Sequence, residues 1–406
     1  MNSRLKYLVV SGSTLLVLLF LIGSVLGQGA SSDETYKHIG VFTDVVSRIK
    51  TEYVEEPDMK SVTLGALNGM LEAIDPFASY LNADQYKDYL KNKDVKRADI
   101  GLLLSKKPGY LGVVGVVPGS PAAKAGFTTG DMIESIKEVS TRDMPLAYAD
   151  LLLRGDPGSS IELSVVRVFK PEPTSVTLMR TTLTLPPVQD EMIAGQVAYI
   201  KPASLSAAKV KETAAEIEKL QKQGAQKLIV DLRNTAIGDP EDGIAFANLF
   251  LNKGLITYLQ GQKFPRQNFN ADPSKAITTL PTVVLTNRGT ADAAEVAAAA
   301  LMDNNRAQLV GEPTYGEASM RKAITMDDGS AIILSVAKYY TPDGKSIQDN
   351  RVTPKNQVLQ QEPQVDVDDN GEPLPEVNDQ KQPEQQKKLE EDPMVKKALD
   401  LLGAKA

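Results

Sequence analysis

The chain has 406 residues, 42% of them hydrophobic and 24% charged, with a formal net charge of −7. This is ordinary globular composition for two or three domains, and an acidic balance with no basic stripe excludes a nucleic-acid partner. There is no cysteine and a single histidine, His38; thiol nucleophiles, disulfides and thiolate zinc sites are therefore excluded, a serine–histidine–aspartate triad would have to use His38, and neither metal nor cofactor is expected.

Arg4 and Lys6 precede a mostly apolar run from Tyr7 to Gly27. A positive segment followed by about 20 apolar residues reads either as a signal peptide cut near Gly27 or as an uncleaved signal anchor. Both place residues 31–406 outside the cytoplasm, in a periplasmic or other extracytoplasmic space; in the second case residues 7–27 anchor the chain in the inner membrane. Residues 31–95 read as helical. Ile39, Phe42, Val45, Val46 and Ile49 recur at three- and four-residue steps, "SVTLGALNGMLEAI" is halted by Asp75–Pro76, and "ADQYKDYLKN" is a third helix. His38 is expected on an exposed helix face.

Residues 96–184 change character. "YLGVVGVV" is β-rich, "PLAYADLLLRG" is an amphipathic helix closed by Gly155, and "SSIELSVVRV" and "TSVTLMRTTLTL" alternate as strands. Residues 185–358 become α/β: the strands "QVAYIK", "KLIVDL", "TVVLT" and "AQLV" alternate with helices, and "GSAIILSVAKYYT" reads as a pair of strands after the Asp328–Gly329 turn. Residues 359–391 are rich in Gln, Glu, Asp and Pro and read as a solvated linker. Asp392–Pro393 then opens a last helix over 392–406, whose Val395, Leu399 and Leu402 form a stripe suited to docking on the body.

The functional question sits in "NRGTADAAEVAAAA", Asn287 to Ala300, directly after the strand "TVVLT". A strand, a tight turn and an Ala-rich helix suit a nucleophile, because the turn exposes one side chain and the helix start supplies free N–H groups. The residue in the turn is Asp292.

Two sets of motifs carry a resemblance. "GSPAAKAGFTTGDMIESI" resembles the PDZ domains of bacterial secreted proteases. "LIVDLRN", "ANLFL", "LVGEPTYGEAS", "YYTPDGKSIQ" and "EEDPMVKKALDLLG", with "GMLEAIDPFASYL" upstream, resemble the carboxy-terminal processing peptidases, or tail-specific proteases. The resemblance covers nearly the whole chain after the leader. It implies an α+β multidomain protein: an N-terminal helical region, a β-rich PDZ domain with two helices, and a ClpP/crotonase-like α/β peptidase core.

That family cleaves peptides with a Ser–Lys dyad, in which a buried Lys acts as base. Here its nucleophile position falls on Asp292 in "TADAAE", its Lys on Glu317 in "TYGEAS", and its Gln on Arg321. The oxyanion-hole donors fall on Gly238, in "TAIG" where Ile237 replaces a Gly, and on Ala293. In the PDZ domain the carboxylate-binding loop falls on Ile100, Gly101 and Leu102, and Asp150 replaces an apolar residue on the facing helix. These departures imply a pseudo-peptidase outside the cytoplasm that binds polypeptide C-termini or extended peptides, acting as a scaffold or regulator with an active relative or a second copy as candidate partner. A second reading keeps hydrolysis alive with other residues: Thr290 with Lys322, or Asp292 with Glu317 sharing a proton, against which Arg321 would hold both ionised. A third makes the chain a purely structural membrane-tethered subunit. Two bland readings stand beside these: Asp292 as a helix N-cap, and Asp292, Glu317 and Arg321 as a solvated ion-pair cluster.

Overall fold

The computed structural model describes residues 31–359 and 389–404, except 94, 96, 108, 143, 168, 169 and 195. The apolar run from Tyr7 to Gly27 and nearly all of the acidic linker lie outside the described residues. Among those described, no helix is long and apolar enough to cross a membrane. The chain divides into two compact units, Met1–Ala66 and Leu67–Ala406.

The first unit holds α1 (Ser31–Glu52) and the start of α2 (Met59–Glu72). On α1, Arg48 bridges Asp44 at 3.2 Å and Glu52 at 3.3 Å, each one helical turn away. Its stripe of Ile39, Phe42 and Val45 is exposed, and so is His38.

The second unit opens with a short strand that the helical reading of 31–95 missed, β1 (Ser79–Leu81). It exists because Asp75 and Pro76 stop the helix and the extended chain finds an edge to pair with. Then follows α3 (Ala83–Asn92), started by a reciprocal cap between Asn82 and Gln85.

The PDZ sheet comprises β2 (Leu102–Lys107), β3 (Tyr110–Val116), β4 (Met132–Ile136), β5 (Val139–Ser140), β6 (Ser160–Arg167) and β7 (Lys170–Met179). Its strand order is β2-β3-β4-β6-β7, so β2 is an edge strand. The short helix α4 (Pro121–Lys124) follows β3, and α5 (Leu146–Leu153) covers the sheet. Leu102, Leu104, Leu111, Ile133, Leu146, Ala149, Leu153, Ile161 and Leu163 make its core.

The α/β core has β8 (Gln189–Ile193), β9 (Val197–Lys201), α6 (Ala207–Lys222), β10 (Lys227–Asp231), α7 (Pro240–Asn248), the hairpin β11 (Leu255–Gly261) and β12 (Phe264–Asn270), β13 (Thr282–Thr286), α8 (Ala293–Asp303), β14 (Ala307–Gly311), β15 (Ser319–Thr325), β16 (Ala331–Tyr340), α9 (Ile347–Asn350), β17 (Asn356–Gln357) and α10 (Pro393–Leu401). The strands β17-β14-β13-β10-β9-β8 form one sheet, parallel except for β8. A second sheet runs β1-β16-β11-β12, with β15 on β16. The segment after the Asp328–Gly329 turn is thus one ten-residue strand; its hairpin partner, β15, precedes the turn.

The parallel strands are apolar throughout because both faces are covered. Leu228, Val230 and Val284 point to the helices on one face. Ile229, Val283 and Leu285 point to the other, where Met394, Val395, Ala398 and Leu399 of α10 close the sandwich. The tail helix therefore docks as its stripe suggests. A charge network fastens it. Arg233, 8% exposed, donates to Asp231 at 2.6 Å and to Asp392 at 2.6 Å, and Tyr199 donates to Asp231 at 2.6 Å. Burial pushes the Asp231 carboxyl up, but Lys201 and Arg233 overrule it and hold it at about 2. Asp392 also caps α10, accepting from the N–H groups of Met394 and Val395. Asp392→Ala should therefore cost about 2–3 kcal/mol in urea unfolding. A loss below about 0.5 kcal/mol, the ordinary surface range, would show that the tail is not fastened there.

Candidate functional site

The chain leaves the buried strand β13, turns through Asn287–Ala291 and enters α8 at Asp292. Asp292 has φ 50° and ψ −115°. A non-glycine residue held there is strained, and such strain concentrates where a side chain must be presented at a fixed point. The turn is over-determined. Asn287 accepts from the N–H groups of Asn234 and Gly289. Thr290 donates to the Leu232 carbonyl at 2.8 Å, and the N–H of Asn287 donates to its hydroxyl at 3.0 Å. Thr290 is fully buried and so committed to structure, while Lys322 is exposed on β15. The pairing of those two as nucleophile and base is thereby overturned.

The N-cap reading holds in part, since Asp292 forms a reciprocal capping box with Glu295. Asp292 stands at the cap position, yet its Oδ1 is sealed from solvent without a hydrogen-bond partner. Burial foremost, and then the neighbouring Glu317 charge, push its carboxyl well above the usual range, with Arg321 pulling the other way. Glu317 pairs with Arg321 at 2.8 Å; its side chain is 15% exposed and that of Arg321 35%. Burial still raises the Glu317 carboxyl against Arg321. Arg321 thus offsets burial only in part at both carboxyls. The cluster is not a freely solvated ion pair.

Glu295, fully buried in the first turn of α8, escaped notice in the sequence. One of its oxygens accepts from the Thr314 hydroxyl and, at 2.8 Å, from the N–H of Gly316. The other accepts from the N–H of Glu317 at 2.7 Å and from that of Asp292 at 3.2 Å. Burial pushes this carboxyl up to about 8 while these donors pull it down. One side chain thus holds the backbone of both Asp292 and Glu317. A lone Glu in an Ala-rich helix start was the only signal available.

The two oxyanion-hole equivalents lie together. Gly238 has φ +137°, and a Cβ there would sit 2.8 Å from the Leu205 carbonyl and 3.1 Å from the Ala293 Cβ. The N–H of Leu205 donates to the Ile237 carbonyl at 2.7 Å, and Ile237 has no positive φ. Ile237 thus stays out of the left-handed backbone region that a β-branched residue disfavours.

The PDZ domain presses on this site. Val114 of β3 packs on Ala236 and Ala291. Tyr315 donates to Ser105 on β2. Asp150 on α5 lies near Arg154, Arg321, Asp99 and Glu317, and burial pushes its carboxyl up to about 7. In the carboxylate loop, Ile100 is buried, Leu102 begins β2, and Gly101 has φ +85° with Ser120 where a Cβ would stand. The N–H of Gly101 already donates to Asp99 Oδ1 at 2.8 Å. The loop is therefore formed, but one of its three expected donors is engaged by the chain itself. Among the described residues no acidic or histidine cluster could hold a metal ion.

Residues 196–358 match the model of peptidase family S41, and residues 112–167 match a PDZ domain. The carboxy-terminal processing protease CtpA of Bacillus subtilis is 33% identical over 83% of this chain and 72% of its own length. The chain belongs to the carboxy-terminal processing peptidases of family S41. The carboxyl-terminal-processing protease of Synechocystis is also 33% identical, over 81% of this chain and 77% of its own. Among solved structures, the photosystem II D1 C-terminal processing protease superposes with a TM-score of 0.65 at 26% identity, covering 80% of this chain and 87% of that one. In this family member the carboxyls at positions 150 and 292 hold protons more tightly in the fold than in the unfolded chain. Between about pH 4 and 7 the native state binds more protons, so stability should fall as pH rises through that window. Asp150→Asn should flatten the fall, read as urea midpoints at pH 4.5, 6 and 7.5; an unchanged slope would contradict the assignment.

Proposed function

We propose that this S41 family member has lost Ser–Lys hydrolysis and serves as a peptide-binding scaffold or regulator. The observation that carries the reading is the strained turn at Asp292 with Glu317 held by Arg321, which puts carboxyls where the family's Ser and Lys are expected. A buried carboxyl is a poor nucleophile toward an amide, and Glu317 offers no ammonium–amine couple to act as base. Loss of nucleophile or base from such a unit costs roughly six orders of magnitude in turnover. Binding is better served. Support comes from the PDZ edge strand β2 and its formed loop, the place where a PDZ domain takes an extended peptide by its C-terminus, although Asp99 and Pro76 already engage two of the N–H groups there. We further propose that the protein works outside the cytoplasm, exported through residues 1–30. Support comes from Arg4 and Lys6 ahead of the apolar run, and an active relative or a second copy fits as partner.

Two neighbouring carboxyls whose proton affinity burial raises favour one other reading, an acid-pair peptidase acting below neutral pH. The two part on a single assay. Incubated with casein at pH 4.5 and 7.5, the soluble chain from residue 31 should leave the substrate intact at both. Turnover at pH 4.5 that disappears in Asp292→Asn would establish the acid pair instead. Binding is checked separately: a short apolar peptide with a free C-terminus should bind with a Kd on the order of micromolar, and its amidated form measurably more weakly. Equal binding of the two would remove C-terminal capture from the account.

A further inference from the structure

The PDZ groove runs between the edge strand β2 and helix α5, and it is not empty. The N–H of Lys106, on β2, donates to the Pro76 carbonyl at 3.3 Å. That is the kind of bond an added peptide strand makes with a sheet edge. Phe77, the next residue, is 3% exposed and belongs to the PDZ core with Leu102 and Leu104 of β2 and Leu146, Ala149 and Leu153 of α5. From the helix side, the N–H of Ala147 donates to Ser79 Oγ at 3.2 Å. The segment is braced from behind by the core: Asp75 accepts from the N–H of Ser335 at 3.2 Å and from Gln348 at 3.2 Å. The Arg321 guanidinium lies 5.4 Å from the centre of the Phe77 ring.

We propose that the Asp75–Ser79 segment is a tethered pseudo-ligand that fills the far end of the PDZ groove with Phe77 as its anchor, so that the groove admits only the last few residues of an external chain. Outward-facing positions alternate along β2, so Leu102, Leu104 and Lys106 would serve a ligand in turn from its C-terminus. Lys106 is taken. Room remains for about three or four residues between the carboxylate loop and Pro76. A longer extended peptide must displace Phe77, and with it the ring on which Arg321 rests. The inference deepens the proposed peptide capture and depends on it.

The test compares two acetylated peptides by calorimetry: a tripeptide of valine and alanine, and a ten-residue peptide ending in the same three residues. Three proteins are used, each the soluble chain from residue 31: the natural sequence, Phe77→Ala, and the pair Ser79→Cys with Ala147→Cys. The chain has no cysteine of its own, so oxidation of that pair makes a single bond holding the segment against α5. The longer peptide should bind the natural chain no better than the tripeptide. It should gain about tenfold in Phe77→Ala. If that variant does not fold, reduction of the cysteine pair supplies the comparison: the oxidised form should bind the long peptide more weakly than the reduced form and the tripeptide equally. A long peptide that binds natural and oxidised chains about tenfold tighter than the tripeptide would overturn the pseudo-ligand and leave C-terminal capture standing. Failure of both peptides on every form would overturn capture itself, and the pseudo-ligand with it.

Discussion

The carboxyl of Glu295 is the constraint on which the site depends. It reaches from the first turn of α8 to the N–H groups of Asp292 and Glu317, which are 25 residues apart in the chain, and to Gly316 and Thr314 between them. A fully buried carboxyl is costly to desolvate, and only a full set of donors makes it tolerable. Those donors exist only when the turn before α8 and the loop before β15 stand at one fixed separation. The same group therefore fixes the separation of positions 292 and 317. The frame is made by the Glu295 carboxyl and backbone N–H groups, not by the side chains at 292, 317 and 321.

Burial in this frame explains why the carboxyls of Asp292 and Glu317 have raised proton affinity. Low polarity around a buried side chain raises an acid. Asp292 and Glu317 respond to burial in the same direction, and Arg321 offsets only part of it. Arg321 in turn draws on Glu317, Asp292, Asp150 and Asp75, so charge from the PDZ helix and from the segment before β1 meets at the degenerate site.

Much of this was legible in the sequence. The α/β alternation, the docking stripe of Val395 and Leu399, and the positions of Asp292, Glu317 and Arg321 all follow from periodicity and from family motifs. What was not legible shares one cause: contacts between residues far apart in the chain. Ser79–Leu81 is too short to read as a strand and becomes one only through β16, some 250 residues later. The β11–β12 hairpin lacks a simple alternation, since one strand is buried and its partner exposed. Phe77 reads as part of a helix-stop motif, and nothing local says that it enters the PDZ core. Asp99 precedes the carboxylate loop in plain view, but its engagement of the Gly101 N–H is a matter of side-chain direction.

We propose an intact peptidase frame in which only the chemistry has been replaced. The direct measurement is the initial rate of peptide hydrolysis by the soluble chain carrying Asp292→Ser, Glu317→Lys and Arg321→Gln, beside the natural sequence. With Glu295 holding both positions, the triple variant should exceed the natural chain by about a thousandfold or more. A triple variant that folds, binds peptide and still shows no hydrolysis, even with Ile237→Gly added, would contradict the account.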